Sequence, residues 1–115
     1  MRDFEFYQHL LGLAAPWTVV RVGLNTHAQT VHVWIEHEPA AHWPCPVCHR
    51  RLVVYDHTLT RTWRHLDSCG YRTLVHARTP RVRCPRDGVH QARVPWAEPH
   101  SRHTRAFERM AIEVL

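Results

Sequence analysis

Apolar residues recur at helical spacing at both ends of this chain and at every second position through much of its middle. Near the N-terminus Phe4, Tyr7 and Leu11 share one face of a helical pattern running from Asp3 to Leu13, with Phe6, Leu10 and Leu13 beside it, and Gly12 and Pro16 end it. Thr18 to Leu24 then alternates as a strand does, Asn25-Thr26-His27 supplies turn chemistry, and Thr30 to Ile35 alternates again, which predicts a β-hairpin. The segment from Glu36 to Pro44 reads as a linker. Short strands are expected at Leu52–Tyr55, Thr60–Leu66, Tyr71–Arg78 and Arg81–Arg83. Pro95 and Pro99 lack the N–H a sheet ladder needs, so Val94–Pro99 should be an extended crossover. Ser101 stands where a helix N-cap belongs, and Ala106, Phe107, Met110, Ala111, Val114 and Leu115 follow at steps of three and four. This last helix runs to the final residue without a Gly or polar stop, which predicts a continuation into another helix.

All four cysteines lie between Trp43 and Trp96. Cys45-Pro46-Val47-Cys48 opens that stretch and Cys84-Pro85-Arg86-Asp87-Gly88 closes it. Two such turns flanking strand-like sequence are the pattern of a zinc ribbon, in which the metal ties together strands that could not bury enough apolar surface alone. The residues leave the fourth ligand open between Asp87 and His90, and Cys69 is expected to be a small buried apolar residue. The fold class that follows is α+β. A small N-terminal helix and β-hairpin would occupy residues 1–42, a zinc-ribbon-like antiparallel β core residues 43–97, and a crossover with a C-terminal amphipathic helix residues 98–115.

A length of 115 residues suits one small domain with appendages, whose modest core makes a structural metal matter. No stretch approaches the ~20 apolar residues of a membrane span, and acidic residues stand where a signal peptide would be basic and then apolar. An intracellular setting is therefore expected, in which CxxC cysteines are metal ligands before they are disulfides. The formal charge is +5, and all 15 basic residues are Arg. Guanidinium forks suit phosphate and guanine recognition, although a GC-rich coding bias would also remove Lys. Alternation places Arg61 with Trp63 and His65, and puts Arg81 and Arg83 on the face opposite Val82, an interleaving of Arg and aromatic residues that suits nucleic acid.

A longer set of residues carries a resemblance. Trp63-Arg64-His65-Leu66-Asp67, Cys69, Tyr71, Leu74, His76-Ala77-Arg78, Pro80-Arg81-Val82, Cys84-Pro85, Asp87-Gly88-Val89 and Val94-Pro95-Trp96-Ala97-Glu98-Pro99, on to Ser101 and Phe107-Glu108, resemble the N-terminal part of ISL-three family insertion-sequence transposases. The likeness extends upstream through the hairpin and Cys45–Cys48. It implies a zinc-finger-like segment leading into a helix-turn-helix, DNA binding at transposon ends, and a catalytic domain in the remainder of a longer chain. It also implies Asp87 as the fourth ligand beside Cys45, Cys48 and Cys84, because Asp87 occupies a slot where the family has Cys or His. His49 stands where the family commonly has Gly.

Twelve histidines invite other chemistry. His65 is expected to be hydrogen-bonded and structural, His76 to pack or face solvent, and His100 and His103 to lie at the start of the last helix. Three functions compete: a zinc-stabilised DNA-binding module without a catalytic centre of its own, a zinc ribbon for protein contacts, and a His-metal nuclease hinted at only by Asp56-His57. On the first reading, Arg61, Arg64, Arg72, Arg81 and Arg83 meet phosphates.

Overall fold

The computed structural model describes residues 3–114, and the side chains of residues 4–110. The first helix, α1 (Asp3–Leu11), stops short of Leu13 because Gly12 turns the chain at φ +67, and the Leu13 N–H closes back on the Gln8 carbonyl at 2.9 Å. Tyr7 and Leu11 are buried as the pattern predicted, whereas Phe4 is exposed. Eight strands follow: β1 (Trp17–Asn25), β2 (Thr30–His37), β3 (His42–Pro44), β4 (Arg51–His57), β5 (Arg61–Ser68), β6 (Tyr71–Ala77), β7 (Pro80–Cys84) and β8 (Gly88–Gln91). The chain closes with α2 (Arg105–Val114). No helix of the described residues is long and apolar enough to cross a membrane.

The strands form two four-stranded sheets, ordered β1-β2-β6-β5 and β3-β4-β7-β8. The second is antiparallel throughout and carries both cysteine turns. The first contains a parallel pair, β2 with β6, in register from Thr30 opposite Arg72 to Ile35 opposite Ala77. This ladder joins strands from the two sides of the division expected at residue 42. β5 and β6 fall inside the predicted 43–97 unit but belong to the hairpin's sheet, because pairing them there buries Val31, Val33 and Ile35 on the same face as Thr73, Val75 and Ala77. A crossover pairing of that kind leaves no local trace in sequence.

Four buried tryptophans fasten the layers. Trp96, delivered by the proline-rich crossover, meets Trp17 edge-on at 4.9 Å and Trp63 edge-on at 5.2 Å, and Trp17 also packs on Trp43 at 5.0 Å. Each has a ring to bury and comes from a different segment, so the quartet joins β1, β3, β5 and the crossover.

Two local expectations are revised. The N-cap of α2 is Thr104 rather than Ser101: the Thr104 hydroxyl accepts from the Phe107 N–H at 3.2 Å, while Ser101 bonds the Glu108 carboxylate. Cys69 is exposed, not buried, because Cys69 and Gly70 take φ +52 and +81 at the tip of the β5–β6 hairpin. Met1, Arg2 and Leu115 lie outside the described residues, as do the side chains of Ala111 and Val114.

His65 is fully buried, with its Nδ1 2.7 Å from the Thr104 hydroxyl. Burial, and secondarily the Arg64 guanidinium, push its pKa down to about 4 from an ordinary 6.5. The unfolded chain therefore takes up this proton first. Stability is complete above pH 6.5 and is lost as pH falls toward 4, by at most about 3 kcal/mol for this group. His65→Gln should flatten the fall. Denaturant titrations of both proteins over that window check this as a difference, so acid release of metal common to both cancels.

Candidate metal centre and basic surface

Pairing of β4 with β7 brings the start of one strand beside the end of the other, and with them the two cysteine turns. The first turn is closed by the Cys45 N–H on the Arg50 carbonyl and the His49 N–H on the Cys45 carbonyl, both at 2.8 Å. His49 takes φ +65 there, the left-handed conformation that explains why glycine suits the position. In the second turn Gly88, at φ +82, lets the chain reverse so that Cys84 and Gly88 face each other across β7 and β8.

The four candidate ligand atoms of Cys45, Cys48, Cys84 and Asp87 all lie within 4.8 Å of one another. Cys48 Sγ is 3.6 Å from Cys84 Sγ, and Asp87 Oδ2 is 3.4 Å from Cys84 Sγ and 3.6 Å from Cys45 Sγ. All four cysteines are free thiols. Zinc–sulfur bonds of about 2.3 Å at tetrahedral angles would hold sulfurs about 3.8 Å apart, so the donor set and its spacing fit that ion. Backbone N–H groups of Cys48 and Val47 hold the Cys45 thiol below its ordinary range despite burial. The Asp87 carboxylate pushes the Cys48 thiol up to about 11, and the same contact holds Asp87 below the usual carboxylate range. Cys48 thus keeps its proton beside the Asp87 carboxylate, and a metal ion bound there would displace it. His90 lies outside the cluster, its Nε2–H donating to the Asp87 carbonyl at 2.8 Å.

Asp56 and His57 are engaged separately. Asp56 accepts from Arg81 Nε at 2.6 Å, which holds its carboxyl below the usual range, and His57 Nε2 lies 2.8 Å from His37 Nε2. Among the described residues, the Cys45/Cys48/Cys84/Asp87 set is the one group of three or more converging His, Cys or carboxylate ligands.

The five predicted arginines are not gathered on one face, because β5 and β6 leave the ribbon for the other sheet. Arg64 pairs with Asp67 at 2.6 Å and lies over the Phe107 ring. Arg81 pairs with Asp56. Arg72 and Arg83 are exposed, Arg83 over Tyr55, and half-buried Arg61 lies over Trp63. Arg61 and Arg81 line a cleft of about 420 Å³ with Arg93 and Arg105, and Glu98 is its acidic member. Sequence reasoning missed Arg93 and Arg105, whose proximity depends on the Arg105 N–H reaching the Trp96 carbonyl at 2.8 Å.

Three comparisons bear on this geometry. Residues 41–93 match the zinc-finger of transposase IS204/IS1001/IS1096/IS1165. Over 65 residues, 56% of this chain, the sequence is 40% identical to the transposase for insertion sequence element IS1557 of Mycobacterium tuberculosis, in strains CDC 1551 / Oshkosh and ATCC 25618 / H37Rv. The matched segment spans 15% of the length of those relatives. No solved structure matches the chain significantly. The ribbon-borne ligand cluster and the zinc-finger match agree: the segment 41–93 is similar to the zinc finger of these transposases, and the site it carries is one for structural zinc.

Proposed function

We propose that this chain is a zinc-stabilised DNA-binding module of a transposase, engaging the DNA at transposon ends. The observation that carries the proposal is the transposase-type zinc finger spanning a metal-ligand cluster whose surroundings are rich in guanidinium groups. Cys45, Cys48, Cys84 and Asp87 are its ligands, and His90 supports the Asp87 turn from outside. Zinc supplies a cross-link and no reaction step. Arg61, Arg72 and Arg83, which among the described residues lack the carboxylate partners of Arg64 and Arg81, make the principal phosphate contacts. α2 begins a helix-turn-helix, the chemical steps belong to the remainder of a longer transposase, and the protein works in the cytoplasm at the nucleoid.

Salt dependence tests the proposal. Each phosphate contact should steepen the fall of log affinity with log salt by about 0.9. Arg83→Ala should weaken binding to duplexes of any sequence and flatten that slope by about one unit. Arg81→Ala should flatten it less, because Asp56 already occupies its guanidinium. Anisotropy titrations of labelled duplex at several salt concentrations read this directly, and a salt-independent or undetectable affinity would refute it. The second reading, a ribbon for protein contacts, is favoured by Val53 and Tyr55, which stand 65% and 52% exposed along β4. Loss of partner capture on Val53→Asp with duplex affinity intact would support that reading.

A further inference from the structure

The outer face of the first sheet, opposite the core, carries a flat aromatic floor. Trp34 and His32 on β2 and His76 on β6 point to that side, and their rings lie nearly parallel, within 29° of one another, with centroids 5.0–5.7 Å apart. His32 Nδ1 is 2.7 Å from His76 Nε2, a contact that at a centroid separation of 5.0 Å places the two imidazoles edge to edge rather than one upon the other. His76 Nδ1 is held in turn by the Thr62 hydroxyl at 2.8 Å. Gly23 on β1 adjoins the indole, and a Cβ there would stand 3.2 Å from the Trp34 ring, so glycine leaves that ring room. Above it the Arg21 guanidinium stacks at 3.9 Å from the ring centroid.

Beside this floor is a cleft of about 320 Å³ whose lining includes Trp34, His76, His57, Thr60 and Arg78, with Glu36 as its acidic member. That volume is at the lower end of the range of about 300–1,000 Å³ occupied by small-ligand sites. Trp34 is also the one tryptophan of five that is not buried.

We propose that this face binds unpaired nucleobases of single-stranded DNA, a base stacking on the Arg21 guanidinium laid over Trp34 and the adjoining phosphates meeting Arg78. Duplex bases present only their edges, so a flat aromatic surface with guanidinium planes selects bases already out of the stack. The surrounding exposed arginines supply the complementary charge. The inference rests on the DNA-binding reading above and adds a second surface, remote in function from the ribbon's phosphate contacts.

The test uses the zinc-loaded chain, a short oligothymidylate, and a duplex of random sequence. Oligothymidylate should quench tryptophan fluorescence, because the accessible indole is the one in the site. Trp34→Ala removes the ring that holds the Arg21 guanidinium flat, so it should weaken oligothymidylate binding by roughly 5- to 100-fold, the worth of one stack, with duplex affinity unchanged, and Trp34→Phe should keep most of it. Arg78→Ala, at an exposed position, should weaken it several-fold and decides the matter should Trp34→Ala fail to fold. Oligothymidylate affinity insensitive to both substitutions, with duplex binding intact, overturns this inference alone. Failure of both nucleic acids to bind removes the DNA reading with it, and tighter binding of oligouridylate than of oligothymidylate overturns the assignment to DNA.

Discussion

Cys84→Ser should abolish tight zinc binding and unfold the second sheet. Cys84 ends β7 and opens the turn into β8, so in the proposed ligand set its thiolate would also pin two strands to the Cys45–Cys48 turn. In small zinc-dependent folds the metal supplies about 10–16 kcal/mol of apparent binding free energy, which is folding free energy when no site exists in the unfolded chain. β3, at three residues, and β8, at four, cannot replace that from their own burial. Metal analysis should give one zinc per chain for the native protein and well under one for Cys84→Ser. Amide exchange should show protection lost from β3, β4, β7 and β8 before the first sheet. Asp87→Ala should lose more affinity than His90→Ala, whose contact with the turn is worth about 10- to 100-fold if it behaves as an outer-shell partner. Equal zinc content in the native protein and Cys84→Ser would refute the ligand assignment.

Trp96→Ala should cost about 3–5 kcal/mol, the range for emptying a buried aromatic site. Trp96 is 1% exposed, and its edge-on contacts reach Trp17 on β1 and Trp63 on β5, so the cavity would open where the crossover seals the first sheet. Its carbonyl also receives the Arg105 N–H, tying the start of α2 to the same point. Against the ~5–15 kcal/mol stability of ordinary domains, such a loss would leave a large unfolded fraction. Urea denaturation of the zinc-loaded proteins measures it. A shift below 1 kcal/mol, the cost of a volume-conserving swap and far short of the range for an emptied aromatic site, would mean that the quartet does not fasten the layers.

Local chemistry was readable in this sequence and long-range pairing was not. The CxxC spacing and the Cys84–Gly88 turn named the residues that converge, because both are short segments whose geometry is set by neighbours. The alternation of Thr18–Leu24 and Thr30–Ile35 named the first hairpin for the same reason. The parallel join of β2 to β6 escaped, since both strands alternate identically whichever partner they choose. With it escaped the separation of Arg64 and Arg72 from Arg83, and the tiled rings of His32, Trp34 and His76, which are 44 positions apart at their extremes and meet only through that ladder. Asp56 as the partner of Arg81 was equally hidden, because the β4–β7 register decides it.

In the proposed function zinc holds the ribbon and the ribbon presents arginine to DNA. Duplex binding by the same preparation, before chelation, after chelation and after zinc is restored, tests it most directly. Binding should be salt-sensitive, lost on chelation and recovered with one equivalent of zinc per chain. Duplex affinity that survives complete removal of the metal, with the same salt slope, would contradict it.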